Sequence, residues 1–376
     1  MTSTAPLRAG VVGVGWAGQQ HIAAYRALPG VELVAIAGLE QEALDAVAAE
    51  HGVPHTHIGW ESLIARGDLD VVSVATPTGL HAPIAIAALQ AGIHVLSEKP
   101  IARTGDEGQA MVDAARAAGR VFEVVFNRRR RGDIAAIRAA VEDGTIGRPY
   151  HARATWLRRS GIPSLGSWFT NAEMAGGGPL VDLGVHMLDW TLHIMGEPRI
   201  TGVSAVTHAE LGPRGLGGSQ DEASGAGGAK SGGGSAYEVE DFATALLRFE
   251  GGGSIILETS WASHRPTPDQ FGITLYGTDG GADLSVTGYA DPGELTLYTG
   301  NGADAVDQVV EAPEGRGHTE VIEEFLAHVA DPATWAQHDG SLGLSRARIV
   351  DACYASAATG HEIALDENLH IIGGDA

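Results

Sequence analysis

Three groups of residues in this sequence have types and spacings that could do chemistry. Gly13-Val-Gly15-Trp-Ala-Gly18 stands near the start, Glu98-Lys99-Pro100 near residue 100, and Gly176-Gly-Gly178-Pro-Leu-Val-Asp182-Leu-Gly184-Val-His186-Met-Leu-Asp189 in the middle. The glycine series suits a turn whose backbone amides meet a phosphate at the start of a helix. Lys99 can hydrogen-bond a hydroxyl and steady a developing oxyanion. Asp182 and His186 are four residues apart, so on a helix they share one face. A histidine with a near-neutral pKa suits removal of a proton from a carbinol. Asp182 can orient it or bind a neighbouring hydroxyl, and Asp189, one turn on, reads as a supporting partner. No third convincing ligand accompanies the pair, so no metal is expected there. Only two lysines occur in the chain, Lys99 and Lys230.

The elements that must position these residues follow from periodicity. Between residues 7 and 126, short β-rich runs alternate with longer helical runs. Strands are expected at Leu7–Val14, Val31–Ala37, Asp70–Ala75, Ile93–Ser97 and Val121–Phe126. Helices are expected at Ala17–Leu28, Gln41–Glu50, His81–Ala91 and Gly105–Ala118. Near-continuous apolar strands separated by helices indicate a doubly wound parallel sheet. The glycine series then lies between the first strand and first helix, the context that gives the motif its weight. After a helix at Asp133–Glu142, alternating strand-like runs with Gly-rich turns indicate an α+β second domain with an open, mostly antiparallel sheet. The expected division is 1–128 and 129–376. Residues 211–235, rich in Gly and Ser, read as a flexible loop.

Bulk properties narrow the classes. The chain has 376 residues, which favours two domains, and a formal net charge of −23, which disfavours nucleic-acid binding. One cysteine, Cys353, excludes an intrachain disulfide. It reads as a small buried apolar side chain. No run is long and apolar enough to suggest a membrane span or export signal. The expected location is the cytoplasm.

The ordered set of motifs resembles the Gfo/Idh/MocA family of oxidoreductases, which contains glucose–fructose oxidoreductase and inositol dehydrogenase. It includes Ala75-Thr76-Pro77 with His81, Asn127-Arg128-Arg129, Val239-Glu240-Asp241 and Ser356-Ala357-Ala358-Thr359-Gly360. The resemblance covers nearly the whole chain. It implies an NAD(P)-dependent sugar or polyol dehydrogenase with Lys99, Asp182 and His186 as catalytic residues, His186 being the general base. It implies a cofactor lined by Gly13, Gly15, Trp16, Ala17, Gly18, Thr76, Pro77, His81, Glu98, Lys99 and Asn127. Glu40 is the candidate for the adenosine ribose. It stands two places beyond Gly38, where many members carry an acid, so NAD is favoured and NADP stays open. Arg158 and Trp168, with Lys99, Asp182 and His186, are the substrate candidates. The implied partners are a carbohydrate and further copies of the chain, as a dimer or tetramer. An NAD-dependent glycosidase that oxidises its sugar transiently is the alternative reading.

Overall fold

The computed structural model describes residues 5–218, 237–300 and 302–372. The chain divides into two compact units at Asn127/Arg128, and residues 317–347 group with the first unit. The sequence reading places that last stretch with the second domain.

The first unit begins with β1 (Leu7–Val12), α1 (Trp16–Ala27), β2 (Val31–Gly38), α2 (Gln41–His51), β3 (His55–Ile58) and α3 (Trp60–Ile64). It continues with β4 (Val71–Val74), α4 (His81–Gln90), β5 (His94–Glu98), α5 (Gly105–Ala118) and β6 (Phe122–Val125). The six strands are parallel in the order β3-β2-β1-β4-β5-β6. The order reverses between β1 and β4, so a crevice opens there at the carboxyl ends of the strands. β4 and β5 are buried along their whole length, as strands covered on both faces must be. β3 is absent from the sequence reading. It is a short edge strand, His-Thr-His-Ile, whose polar residues give no apolar run.

The second unit contains α6 (Gly132–Glu142), β7 (Pro149–Arg158), α7 (Ala172–Ala175), a π-helical turn (Leu180–Gly184) and α8 (Val185–Ile194). Its strands continue with β8 (Ile200–His208), β9 (Phe242–Phe249), β10 (Gly253–Ser260), β11 (Asp269–Gly277), β12 (Gly280–Thr287), β13 (Glu294–Thr299) and β14 (Val306–Val310). The chain then forms α9 (His318–Ala330) in the first unit. The long α10 (Ser341–Thr359) begins there and ends in the second, before β15 (Ile363–Leu365) and β16 (Ile371–Ile372). The second sheet has ten strands, antiparallel except where β7 runs parallel to β10. Its inner face packs Trp156, Trp261, Phe271 and Leu257 against Met187, Leu188 and Trp190 of α8. Strands β12 and β14–β16 are additions to the sequence reading.

The segment that carries Asp182 and His186 is two pieces, because the π-helical turn precedes α8. The expected loop 211–235 is in part ordered. Residues 212–214 form a short 3₁₀ turn, and the amides of Glu210, Leu211 and Gly212 all donate to Asp241 Oδ2 at 2.6–2.9 Å. The rest of that stretch, from 219, lies outside the described residues. Among the described residues, no helix is long and apolar enough to cross a membrane.

His94 ties the base of β5 to β6. Its Nδ1 accepts the amide of Val121 at 2.9 Å, which requires the neutral ring. Burial, then the neighbouring Arg120, lowers its pKa from 6.5 to about 4. The unfolded chain therefore takes a proton near pH 6.5 that the folded chain refuses, and stability falls as pH drops from 6.5 towards 4. His21, His81 and His193 are lowered too, chiefly by burial, and act in the same direction. The thermal midpoint should fall through this window. His94→Gln, which keeps an acceptor but cannot be charged, should make the fall shallower by up to one proton's worth. An unchanged pH slope in that variant would remove His94 from this role.

Candidate active site

The glycine turn of the first unit joins β1 to α1. Gly13 has φ +98°, and a Cβ there would lie 2.2 Å from the Ala75 carbonyl oxygen. A Cβ on Gly18 would lie 1.9 Å from the Gly13 carbonyl oxygen. These two glycines are needed by the fold. Gly15 is different: it has ordinary φ, and a Cβ there would meet nothing within 4 Å. The bare backbone at Gly15 therefore leaves room for something other than protein. Gly15 caps α1 without a side-chain bond, and the first turn carries no acidic residue. The helix start thus offers unspent amides and positive potential to a pyrophosphate. Trp16 and Ala17 are the first residues of α1, and Trp16 is exposed. Glu40 precedes α2, and its carboxylate makes no capping bond to that helix.

The other strand ends bring Thr76, Pro77, Glu98, Lys99 and Asn127 to the same carboxyl edge of the sheet. The Thr76 hydroxyl is buried with no hydrogen-bond partner in the protein, a second feature that suits a bound ligand. His81 is buried, and its ring nitrogens face the carbonyls of Pro100 and Thr76, both at 2.9 Å. It fastens the loops after β4 and β5 rather than presenting its ring, so its effect on a ligand passes through Thr76 and Pro100.

Glu98 sits at the centre of a hydrogen-bond chain. Its Oε1 accepts from Nε2 of His21 and of His318, each at 3.1 Å. With both Nε2 atoms protonated, the far nitrogens must accept. His21 Nδ1 lies 2.8 Å from Ser73 Oγ, which lies 2.9 Å from the Tyr25 hydroxyl. His318 Nδ1 lies 3.4 Å from Asn127 Nδ2. Protons thus point from Tyr25 and Asn127 inward to Glu98. Burial alone would raise the Glu98 carboxyl, but the two histidines hold it well below the usual range. Glu98 Oε2 also accepts the Lys99 amide at 3.3 Å. His21 and His318 were not picked out from the sequence. His21 had a local signal, a polar residue on the apolar face of the first helix; His318 had none.

In the second unit, the glycines before Asp182 have a packing reason. A Cβ on Gly178 would lie 2.1 Å from the Glu240 carbonyl oxygen. That closeness lets the Glu240 carboxylate accept the amides of Gly178 and Leu180 and the Tyr354 hydroxyl, at 2.9–3.0 Å. Glu240 thus caps the helix opening from a distant segment. Asp182, in the π-helical turn, accepts Trp261 Nε1 at 2.9 Å. His186 is buried beside the Trp156 ring, 6.0 Å between centroids. Asp189 forms a bidentate ion pair with Arg129. Arg158 pairs with Asp269 at 3.0 Å, and Asp269 also accepts Trp156 Nε1 at 2.9 Å. Trp168 stacks on Phe169, which meets Trp261 edge-on. Arg128 lies over Trp156, Phe271 and Tyr289, and burial lowers its pKa to about 10. Trp156 and Trp261 are the residues missed here, and Glu240 was noticed only within its motif, since each acts through contacts distant in sequence. Lys99 belongs to the first unit and the Asp182/His186 pair to the second.

Because Gly15 is open where Gly13 and Gly18 are crowded, Gly15→Val separates binding from folding. Its thermal midpoint without ligand should stay close to that of the parent. Dinucleotide affinity, read by fluorescence titration, should fall at least tenfold. Unchanged affinity would clear this turn of contact with the pyrophosphate.

Comparison with known proteins agrees with this geometry. Residues 7–126 match the model of an oxidoreductase family with an NAD-binding Rossmann fold, and residues 134–283 match the GFO/IDH/MocA C-terminal domain. D-glucoside 3-dehydrogenase of Escherichia coli (strain K12) is 32% identical over 370 residues, covering 97% of this chain and 99% of that protein. Levoglucosan dehydrogenase of Pseudarthrobacter phenanthrenivorans is 31% identical over 379 residues, covering 94% of this chain and 96% of that protein. The structure of a levoglucosan dehydrogenase in complex with NADH and L-sorbose superposes with a TM-score of 0.81 at 28% identity, covering 97% of this chain and 100% of that one. With a phosphate-ready turn in one unit and an aspartate–histidine helix in the other, the chain belongs to the Gfo/Idh/MocA family of NAD-binding oxidoreductases.

Proposed function

We propose that this protein is an NAD-dependent dehydrogenase acting on a hydroxyl-bearing carbon of a sugar or polyol, with Lys99, Asp182 and His186 as catalytic residues. The observation that carries the reading is the placement of Asp182 and His186 four residues apart at one helix opening, the carboxylate oriented by Trp261 and the imidazole set beside Trp156. Aromatic faces beside hydrogen-bonding carboxylates suit a sugar ring, whose C–H faces are apolar and whose hydroxyls are not. Relatives named for glucoside and levoglucosan oxidation support the same substrate class.

NAD, when bound, supplies the hydride acceptor, held by the turn at Gly13–Gly18 and the strand ends at Thr76, Pro77, Glu98 and Asn127, with Glu40 toward the adenosine ribose. His81 holds two of those strand ends in place. His186 takes the proton of the reacting hydroxyl at a ring nitrogen. Asp182 holds the imidazole or a neighbouring hydroxyl in register. The Lys99 ammonium, next to an ionised Glu98, donates to the substrate oxygen and stabilises negative charge as it develops. In the reducing direction the same imidazole returns the proton. Arg158 and Trp168 are assigned to the substrate side, Arg158 with its charge steadied by Asp269. Self-association as a dimer or tetramer is assigned to the outer face of the large sheet, where Tyr276 and Tyr298 are exposed in one row across β11–β13.

The test is a panel of polyols, monosaccharides and glycosides with NAD and NADP, followed at the absorbance of reduced nicotinamide. Net reduction with NAD is the expected result. Sugar cleavage with no net absorbance change would replace the dehydrogenase with a transiently oxidising glycosidase. His186→Ala should lower kcat by about 10²–10⁴-fold with NAD affinity intact. Unchanged turnover would remove His186 from the chemistry.

A further inference from the structure

Outside the crevice, the first unit brings together Glu123, His328 and His338. Glu123 lies on β6, the strand at one end of the parallel sheet. His328 lies in the last turn of α9, and His338 ends the short 3₁₀ turn at residues 335–337. Both histidines aim Nδ1 at the same atom: Glu123 Oε1 is 2.8 Å from His328 Nδ1 and 2.6 Å from His338 Nδ1. Their rings are stacked, with centroids 3.7 Å apart and planes 18° apart.

We propose that Glu123, His328 and His338 form a binding site for a divalent zinc ion. Two imidazole nitrogens and a carboxylate oxygen are a donor set for borderline ions such as zinc, not for calcium or magnesium, which take oxygen. The possible ligand atoms lie within 4.8 Å of one another. Zinc bonds of about 2.0–2.2 Å in a tetrahedron separate ligand atoms by roughly 3.3–3.5 Å. The carboxylate oxygen, 2.8 and 2.6 Å from the two Nδ1 atoms, reaches that spacing when the side chains move apart by roughly 0.5–0.9 Å. Each histidine then carries its proton on Nε2 and offers the Nδ1 lone pair, so binding to neutral rings needs no net proton loss. The side chains of Glu123, His328 and His338 are 20%, 33% and 22% exposed, so an ion can enter and water can complete the coordination.

The ligands are fixed by backbone bonds unrelated to an ion. Glu123 sits in the β5–β6 ladder opposite Leu96, and the Phe122 amide donates to the His338 carbonyl at 2.8 Å. The backbone that carries the ligands is thus held in place while the stacked rings rotate to converge on the ion, and zinc would pin the end of α9 and the turn after it to β6. The second histidine–carboxylate cluster of this unit, around Glu98, differs. Its outer nitrogens already face Ser73 and Asn127, and it is deeply buried.

The experiment uses the full chain without an affinity tag, stripped with a chelator and titrated with zinc chloride against a chromogenic chelator. One zinc per chain and a raised thermal midpoint are expected. His338→Gln and Glu123→Gln, folded by circular dichroism, should each weaken binding at least tenfold and lose the thermal shift, while NAD-dependent turnover without zinc matches the parent. Absence of zinc binding, or undiminished binding in the His328→Gln/His338→Gln double variant, overturns the proposal. Should the variants fail to fold, zinc K-edge absorption of the loaded parent decides. Scattering from two imidazoles supports the site, and a shell without imidazole overturns it.

Discussion

A single carboxylate, Glu98, holds the ligand end of the first unit together. A buried anion without donors would be neutralised by its own desolvation cost. Here two histidines meet that cost from elements far apart in sequence: His21 from α1 and His318 from α9. Their outer nitrogens extend the order to Ser73 on β4 and to Asn127 after β6. The chain of donors has one consistent direction, ending on Glu98 Oε1. Three strand-end segments and two helices are thereby referred to one atom, and Lys99 follows it by one peptide bond.

The second unit uses the same device twice. Glu240 and Asp241 are adjacent, buried carboxylates that receive backbone amides instead of histidines. Glu240 takes the amides that open the Asp182/His186 segment, and Asp241 takes three amides of residues 210–212. Burial raises the Glu240 carboxyl while the amides of Leu180 and Gly178 oppose it. The dipeptide before β9 is therefore a pair of anchors, one for the helix and one for the chain after β8.

The parallel sheet was legible in the sequence because strands covered on both faces must be apolar throughout, as Val71–Val74 shows. The glycine turn was legible because its parts are neighbours, and its crowding at Gly13 and Gly18 is a short-range matter. Most of the second sheet's inner strands showed through their alternation, while β12, the polar edge β3 and the outer β14 did not. His318 was invisible for a physical reason: its partner Glu98 is 220 residues away, and no local pattern encodes that contact. His81 was noticed, but residue type could not reveal that both its nitrogens face backbone carbonyls. The ion pair of Asp189 with Arg129 was equally hidden, since helical spacing tells which face a residue occupies and not what meets it.

The π-helical turn at Leu180–Gly184 has a consequence for how such a site can change over time. A π turn holds about one residue more than an α turn, and one residue is about 100° of helical rotation. Side chains before it are therefore out of phase with those after it. Val185–Ile194 is buried almost throughout and cannot rotate without disturbing the core. Asp182 lies within the π turn itself, ahead of that fixed register. Drift in the glycine-rich entry can re-aim that carboxylate while the packed helix keeps its register, so its direction can change without the interior being rebuilt.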